Sequence, residues 1–523
     1  MKKIIYGALL CALATTAQAN LVSNQTFVRS RDSLSHNALM NLTGRTWTGS
    51  NNKNVIGSTL SVAPYYRTSY NKTDLATAFG GGQAVNGDQN GQLVIEPNQS
   101  ISFEDEALHL HSAAMDHMAT EVDGGMYGAL TLNPSRTEYG AHISWQQKLD
   151  FAYRGLSLHI DIPVACVRHD LGTVFSGSAH NDGSSYGQNG STLSNYFSGR
   201  TLTKGASSSQ QALAYTRIDG ASHSLSGIAD IQAGLNYTWY TSRSLRISTK
   251  GYVVVPTGAK ETSVNLFEPA VGCGHIALGV RGLLMGNIFH TKDNAHRVNA
   301  YAMLDYRYLF QSEKTRTLGI YNHWFNTVAT GSHYHNVGVV GGTQAVPAAN
   351  VLTRTVLVKP GQLFDGVIGA RYNYKEFGFS LAYNLHAHDA EAVTLTPPSR
   401  WFDGTYGMLG HSHSVSSAIV VGSNSYTYGG AIQQQGNTST ITVNSSGASV
   451  GSDNAAQYYV STDTCSGRSD LTHKLGATGE WHYRKMRFPV NISVGAEYEF
   501  PGLTTTNSGI HSWAVWSKLS VCF

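Results

Sequence analysis

Apolar and polar side chains alternate along the last two stretches of the chain. In 512–523, Trp513, Val515, Ser517, Leu519, Val521 and Phe523 share one face, while Ser512, Ala514, Trp516, Lys518, Ser520 and Cys522 share the other. Just upstream, Phe488, Val490, Ile492, Val494, Ala496, Tyr498 and Phe500 oppose Pro489, Asn491, Ser493, Gly495, Glu497 and Glu499. A period of two places every second side chain on one face of a strand. A soluble antiparallel sheet alternates as well. Runs of roughly 10–14 residues, with aromatics near the ends of the apolar face, are instead what tilted bilayer-crossing strands require.

The same rule gives strands at 55–67, 138–149, 155–167, 227–240, 244–256, 273–289, 296–310, 361–375, 376–388, 471–484, 487–500 and 510–523. The connections then sort into two kinds. Short turns fall at Asp150–Arg154, Thr241–Arg243, Thr291–Ala295, Lys375–Glu376 and Arg484–Met486, and longer connections span 68–137, 168–226, 257–272, 311–360, 389–470 and 501–509. Bacterial barrels have short periplasmic turns, long extracellular loops and an even strand count. The expectation is therefore an all-β, transmembrane, antiparallel up-and-down barrel of about 12 strands, with both termini periplasmic. The stretches Thr317–Tyr321 and Leu352–Val358 leave room for one more hairpin, so about 14 strands is the alternative.

The N-terminus changes the picture by adding export. Lys2 and Lys3 precede an apolar run, Ile4–Ala14, too short to span a bilayer, and Ala17-Gln18-Ala19 offers small residues for cleavage before Asn20. Residues 1–19 are thus expected as a signal peptide, 20–54 as a periplasmic or plug segment, and 55–523 as the barrel with its long loops. Composition agrees with a wall whose outer face is apolar and whose lumen face is small and polar. Charged residues are 13 %, with Gly 55 and Tyr 28, and mean hydropathy is only −0.20. Ordinary globular proteins carry roughly 25 % charged residues. A net charge of +3 gives no case for nucleic acid.

The signal, the alternating last strand and the closing Val521-Cys522-Phe523 resemble Gram-negative outer-membrane β-barrel proteins of the porin-like class. In that class the terminal strand with a final Phe is read by the barrel-insertion machinery, so the resemblance implies that role for Phe523, outer-membrane lipid as surroundings, and residence in the cell outer membrane. Fatty-acid-type channels are similar in folding an N-terminal segment about as long as Asn20–Asn54 into the barrel; their Asn-Pro-Ala signature is absent from this stretch.

Candidate chemistry lies on the inward face. The basic positions expected to line the lumen are Arg246, Lys250, Arg281, Arg297, Arg307, Arg371, Lys375, Lys474, Arg484 and Lys518; the acidic ones are Asp161, Asp230, Asp305, Asp365, Glu480, Glu497 and Glu499. Rings of charge set selectivity in a wet pore. The expected function is passive passage of small polar solutes, with a mild preference for anions. The alternative is a structural or adhesive surface barrel whose lumen is blocked, because a lumen of about 12 strands is narrow.

No enzyme is expected. His142 and Ser144 share a lumen face without a third group, and no Gly-x-Ser-x-Gly occurs. His-x-His appears at His109/His111, His333/His335, His386/His388 and His411/His413. That spacing puts two imidazoles on one face of a strand, but none of it matches a zinc motif, so neither metal nor cofactor is expected. Cys166, Cys273, Cys465 and Cys522 meet an oxidising compartment after export. A Cys273–Cys465 disulfide is the pairing expected, and four reduced thiols the alternative.

Overall fold

The computed structural model describes residues 25–31, 37–42, 57–70, 133–176, 211–322 and 345–395 (without 243 and 294), 458–483, 487–502 and 510–523, with shorter pieces of the loops between them. Twelve strands form the wall: β1 (Ser58–Ser69), β2 (Ser135–Lys148), β3 (Leu156–Asp170), β4 (Ile231–Thr241), β5 (Leu245–Val255), β6 (Ala277–His290), β7 (His296–Leu309), β8 (Gln362–Tyr374), β9 (Phe377–His388), β10 (Asp470–Tyr483), β11 (Val490–Pro501) and β12 (Ser512–Cys522). Each pairs antiparallel with its neighbours, and β12 closes on β1 with Leu519 opposite Val62. A short strand, His223–Ile228, continues β4 upward along β3.

Closure removes every open strand edge, which is the condition for a sheet to cross a bilayer. The outer face is banded as that medium demands. Val62, Leu235, Leu284, Ile368, Leu381, Val494 and Leu519 are exposed across the middle. Tyr66, Tyr139, Tyr306, Tyr308, Tyr498 and Trp513 are exposed toward the long-loop end, and Phe151, Trp239, Phe289, Phe377, Trp481 and Phe488 toward the short-turn end. An apolar belt between two aromatic girdles is the surface of a transmembrane barrel. Phe523 completes the lower girdle: its ring lies 5.5 Å from Phe488, and its backbone exchanges hydrogen bonds with Gly57 and Ser58.

The further hairpin exists, but outside the wall, so the count is twelve rather than fourteen. Ser312–Thr317 pairs with Thr353–Lys359, which also pairs with Ala392–Leu395, and the first two extend β7 and β8 past breaks at 310–311 and 360–361. Over the lumen, Leu318, Ile320, Leu352, Val356, Val358, Val460 and Cys465 pack into a core of their own. The described parts of the 311–360 and 389–470 connections thus form a cap with a buried core.

The described N-terminal residues lie at the cap and inside the barrel. Both ends of the wall, Gly57 and Phe523, meet at the short-turn rim, yet Thr26 donates its amide to Thr464 O (3.0 Å) at the cap. Arg29 and Arg31 lie at the level of the upper rim, and helix α1 (Ala38–Leu42) sits among the inward side chains Met303, Val367, Ala63 and Trp516. The segment descends from cap to mid-barrel, so its early residues stand at the end opposite Phe523. The four described cysteines are buried thiols. Cys273 packs with Tyr252, Val254 and Leu309 at the rim, whereas Cys465 belongs to the cap core, so the expected Cys273–Cys465 bridge is not formed.

Candidate functional site: a charged and packed lumen

Pairing register alone aligns one belt of charge. Lys250 stands opposite Arg281, Arg281 opposite Asp305, Asp305 opposite Asp365, and Asp365 opposite His386, on five consecutive strands. Because partners on neighbouring inward positions lie within side-chain reach, the belt becomes a network. Arg281 Nε donates to Asp305 Oδ2 at 2.8 Å, and Lys250 Nζ lies 3.2 Å from Asp161 Oδ2. His386 Nδ1 is 2.9 Å from Asp365 Oδ1, and Arg307 Nη2 lies 3.4 Å from Asp305. Tyr252 stands at its centre: its hydroxyl meets Asp305 and accepts from Arg307 Nε at 2.6 Å, while Lys250, Arg281 and Arg307 surround its ring at 5.4–5.7 Å. Cations on a ring face gain about 0.5–2 kcal/mol each.

The opposite wall carries a second network. Arg67 pairs with Glu497 and, at 2.9 Å, with Glu499; Lys474 is 3.8 Å from Glu499. Lys518 Nζ lies 3.4 Å from Met40 O and so holds α1. Nearer the short turns, Arg371 binds Glu480 (2.5 Å) and His482. Arg246 is half-buried, and Arg297 is exposed at the rim.

Two residues expected in the lumen serve elsewhere. Asp230 is fully buried where the short strand meets β4, and its carboxylate accepts Cys273 N–H at 2.5 Å, which ties down the connection after β5. Lys375 occupies the β8–β9 turn with φ +52°, its ammonium 5.2 Å from the outward ring of Tyr374. Parity assigned it inward, but the tight turn breaks the alternation there. Arg484 lies outside the described residues.

The N-terminal segment supplies groups that strand parity cannot find. Arg29 donates to Asp389 O (2.8 Å), Arg468 O (2.9 Å) and Pro360 O (2.9 Å), lies 3.4 Å from Glu391, and touches His388 Nε2 at 2.9 Å. Arg31 bridges Asp470 (2.6 Å) and Glu499. Asn37 reaches His142 Nε2 (3.0 Å) and Arg67 (3.1 Å). Above them Arg316 stacks 3.4 Å over Phe27 and binds Glu261 at 2.9 Å. In the cap, burial alone would raise Glu261, but Lys314 and Arg316 outweigh it and hold the carboxyl at about 2; Arg29, Arg316 and Lys314 likewise depress Glu391 against burial. The sequence does contain a signal for this clasp, the pair Arg29-x-Arg31 in an otherwise weakly charged stretch.

A metal finds no home at the one His-x-His pair described. His386 and His388 have ring centroids 6.5 Å apart, one bound to Asp365 and the other to the Arg29 guanidinium, which repels a cation. Among the described residues no group of three or more His, Cys, Asp or Glu is placed to hold a metal ion. His109, His111, His333, His335, His411 and His413 lie outside them.

No protein-family model matches the chain, and no curated protein matches it. Among solved structures it resembles an outer membrane channel from Pseudomonas putida F1, at 9 % identity over 90 % of this chain and 96 % of that one, with TM-score 0.37. It also resembles the transport unit of the autotransporter AIDA-I from Escherichia coli (8 % identity, 94 % and 97 % covered, TM-score 0.29) and the Pseudomonas putida toluene transporter TodX (8 %, 89 % and 88 %, 0.31). At such scores they assign this chain neither a family nor a substrate.

Proposed function

We propose that the protein is an outer-membrane channel for small polar solutes, held closed by the described parts of its own N-terminal segment, residues 25–31 and 37–42. One observation carries the reading: the barrel interior is charged and polar on both walls, yet its middle is filled by a chain segment clasped through Arg29, Arg31 and Lys518. A purely structural barrel has no need of so many buried ions, which contribute little net stability. Withdrawal of the segment would expose Lys250, Arg281, Asp305, Asp365 and Arg67 to water as a polar path. Arg246, Arg297 and Arg371 against Glu480 would then give the periplasmic mouth a basic bias toward anions.

The second reading, a structural or adhesive surface barrel, draws on the cap, whose packed core covers the lumen. Single-channel recording in planar bilayers separates the two. Discrete conductance steps that reverse nearer the anion potential are expected; a folded barrel that never conducts would leave the structural reading.

A further inference from the structure

We infer that His388 is an acid-operated latch on the N-terminal segment: a proton taken up at its Nε2 breaks the contact with Arg29 and passes the imidazole to Asp470. Arg29 directs all its N–H groups at the upper rim. Nη1 donates to Asp389 O and Arg468 O, Nη2 to Pro360 O and His388 Nε2, and Nε faces Glu391 at 3.4 Å. A guanidinium offers donors only and cannot be deprotonated. The 2.9 Å contact therefore requires an Nε2 without a proton, and a protonated ring would set two N–H groups and two cations against each other. Of the acceptors around Arg29, this imidazole is the one whose ordinary titration falls between about pH 5 and 8.

A second partner stands beside the ring. Asp470 on β10 is the register partner of His388 on β9, and opposed side chains on one face lie roughly 5 Å apart at Cβ. Arg31 holds Asp470 Oδ2 at 2.6 Å, whereas Asp470 Oδ1 is buried without a hydrogen-bond partner. An imidazolium has a donor for that oxygen. In taking it, the ring weakens the hold of Asp470 on Arg31, so one proton loosens both arginines of the clasp. The other charges around the ring are already engaged. His386, with its centroid 6.5 Å away, is bound to Asp365. Asp389 accepts Gln362 N–H at 3.1 Å, and Glu391 accepts Gly467 N–H at 2.9 Å. Lys314 and Arg316 of the cap pair with Glu261. What release of the segment does rests on the channel reading above; the release itself does not.

With the clasp open, His388 titrates near its ordinary value of about 6.5, and with it closed the ring stays neutral. Stability of the closed clasp is then present above that value and lost as pH falls, so going from about pH 7.5 to about pH 5 should favour release by about 30-fold. Hydrogen exchange of the 25–31 amides in the detergent-solubilised full chain reads this, each rate divided by the intrinsic rate at that pH, with single-channel recording alongside. Protection, which Thr464 O gives to Thr26 N–H, should fall about 30-fold at the lower pH. His388→Gln keeps an acceptor for Arg29 but takes up no proton, and should remove most of that fall. His275→Gln, which alters only the cap, should keep it. Each variant is first shown to fold by wild-type heat-modifiable gel migration. Protection that ignores pH in the wild type, or a fall that survives in His388→Gln, would overturn the latch. A fall in protection without any conductance would uphold the latch and overturn the channel.

Discussion

Replacing Arg31 with alanine should open the barrel. Arg31 lies 2.6 Å from Asp470 and pairs with Glu499, whose side chains are 5 % and 1 % exposed. Removing one partner of a buried pair costs about 3–5 kcal/mol, because the remaining charge stays desolvated. Glu499 keeps Arg67 at 2.9 Å and Ser512 Oγ at 3.1 Å, so the penalty falls mainly on Asp470 and the lower figure, about 3 kcal/mol, applies. In a barrel whose segment has withdrawn, water reaches Asp470 and that penalty disappears. It therefore weighs on the closed state alone and shifts the closed–open balance by roughly 100-fold. Single-channel open probability should rise by that order, and by much less in Arg31→Lys, which keeps a charge. An Arg31→Ala barrel with normal heat-modifiable migration and a wild-type open probability would refute the reasoning, since the clasp would then hold nothing.

Acid should loosen the cap in two stages. His275, held by burial at about 4, is neutral in the fold, so stability present above pH ~6.5 declines as pH falls toward 4; Glu261, at about 2, adds a second loss between pH ~4.5 and 2. Amide exchange in 312–320 should accelerate through both windows, and a pH-independent rate would contradict it. Val494→Lys puts a charge on the lipid face, where Val494 is 58 % exposed, and should cost about 2–4 kcal/mol in urea unfolding from liposomes. Gly495→Ala would push a Cβ into the Trp516 ring and should cost about 1–3 kcal/mol in the same assay. Alkylation of unfolded, unreduced protein should label Cys166, Cys273, Cys465 and Cys522 alike, and any pair protected until reduction would show a disulfide.

The wall was legible because lipid outside and packed polar groups inside force a period of two on every strand. All twelve stretches follow from it; the alternation of Trp513–Phe523 gives Phe523 its outward face, and an even strand count with short turns on one side gives it the lower rim. Parity failed where the backbone leaves the strand: at Lys375, whose positive φ turns its side chain away, and at Asp230, in the break before β4. It was also blind to residues that reach the lumen without belonging to the wall. Arg29, Arg31 and Asn37 find partners 105–439 positions away, at His142, Arg468 and Asp470. Such contacts depend on how the segment threads, and no local pattern encodes that. The cap hairpin shows the converse: its apolar residues announced a buried sheet, and only pairing register shows that the sheet stands above the wall rather than in it.

The central claim is that residues 25–31 and 37–42 close an otherwise polar path. Its most direct test compares single-channel conductance of the full chain with that of a chain lacking 25–42, both shown to be folded. The account predicts rare openings from the first and a sustained, anion-favouring conductance from the second. A folded, truncated barrel as silent as the full chain would contradict it.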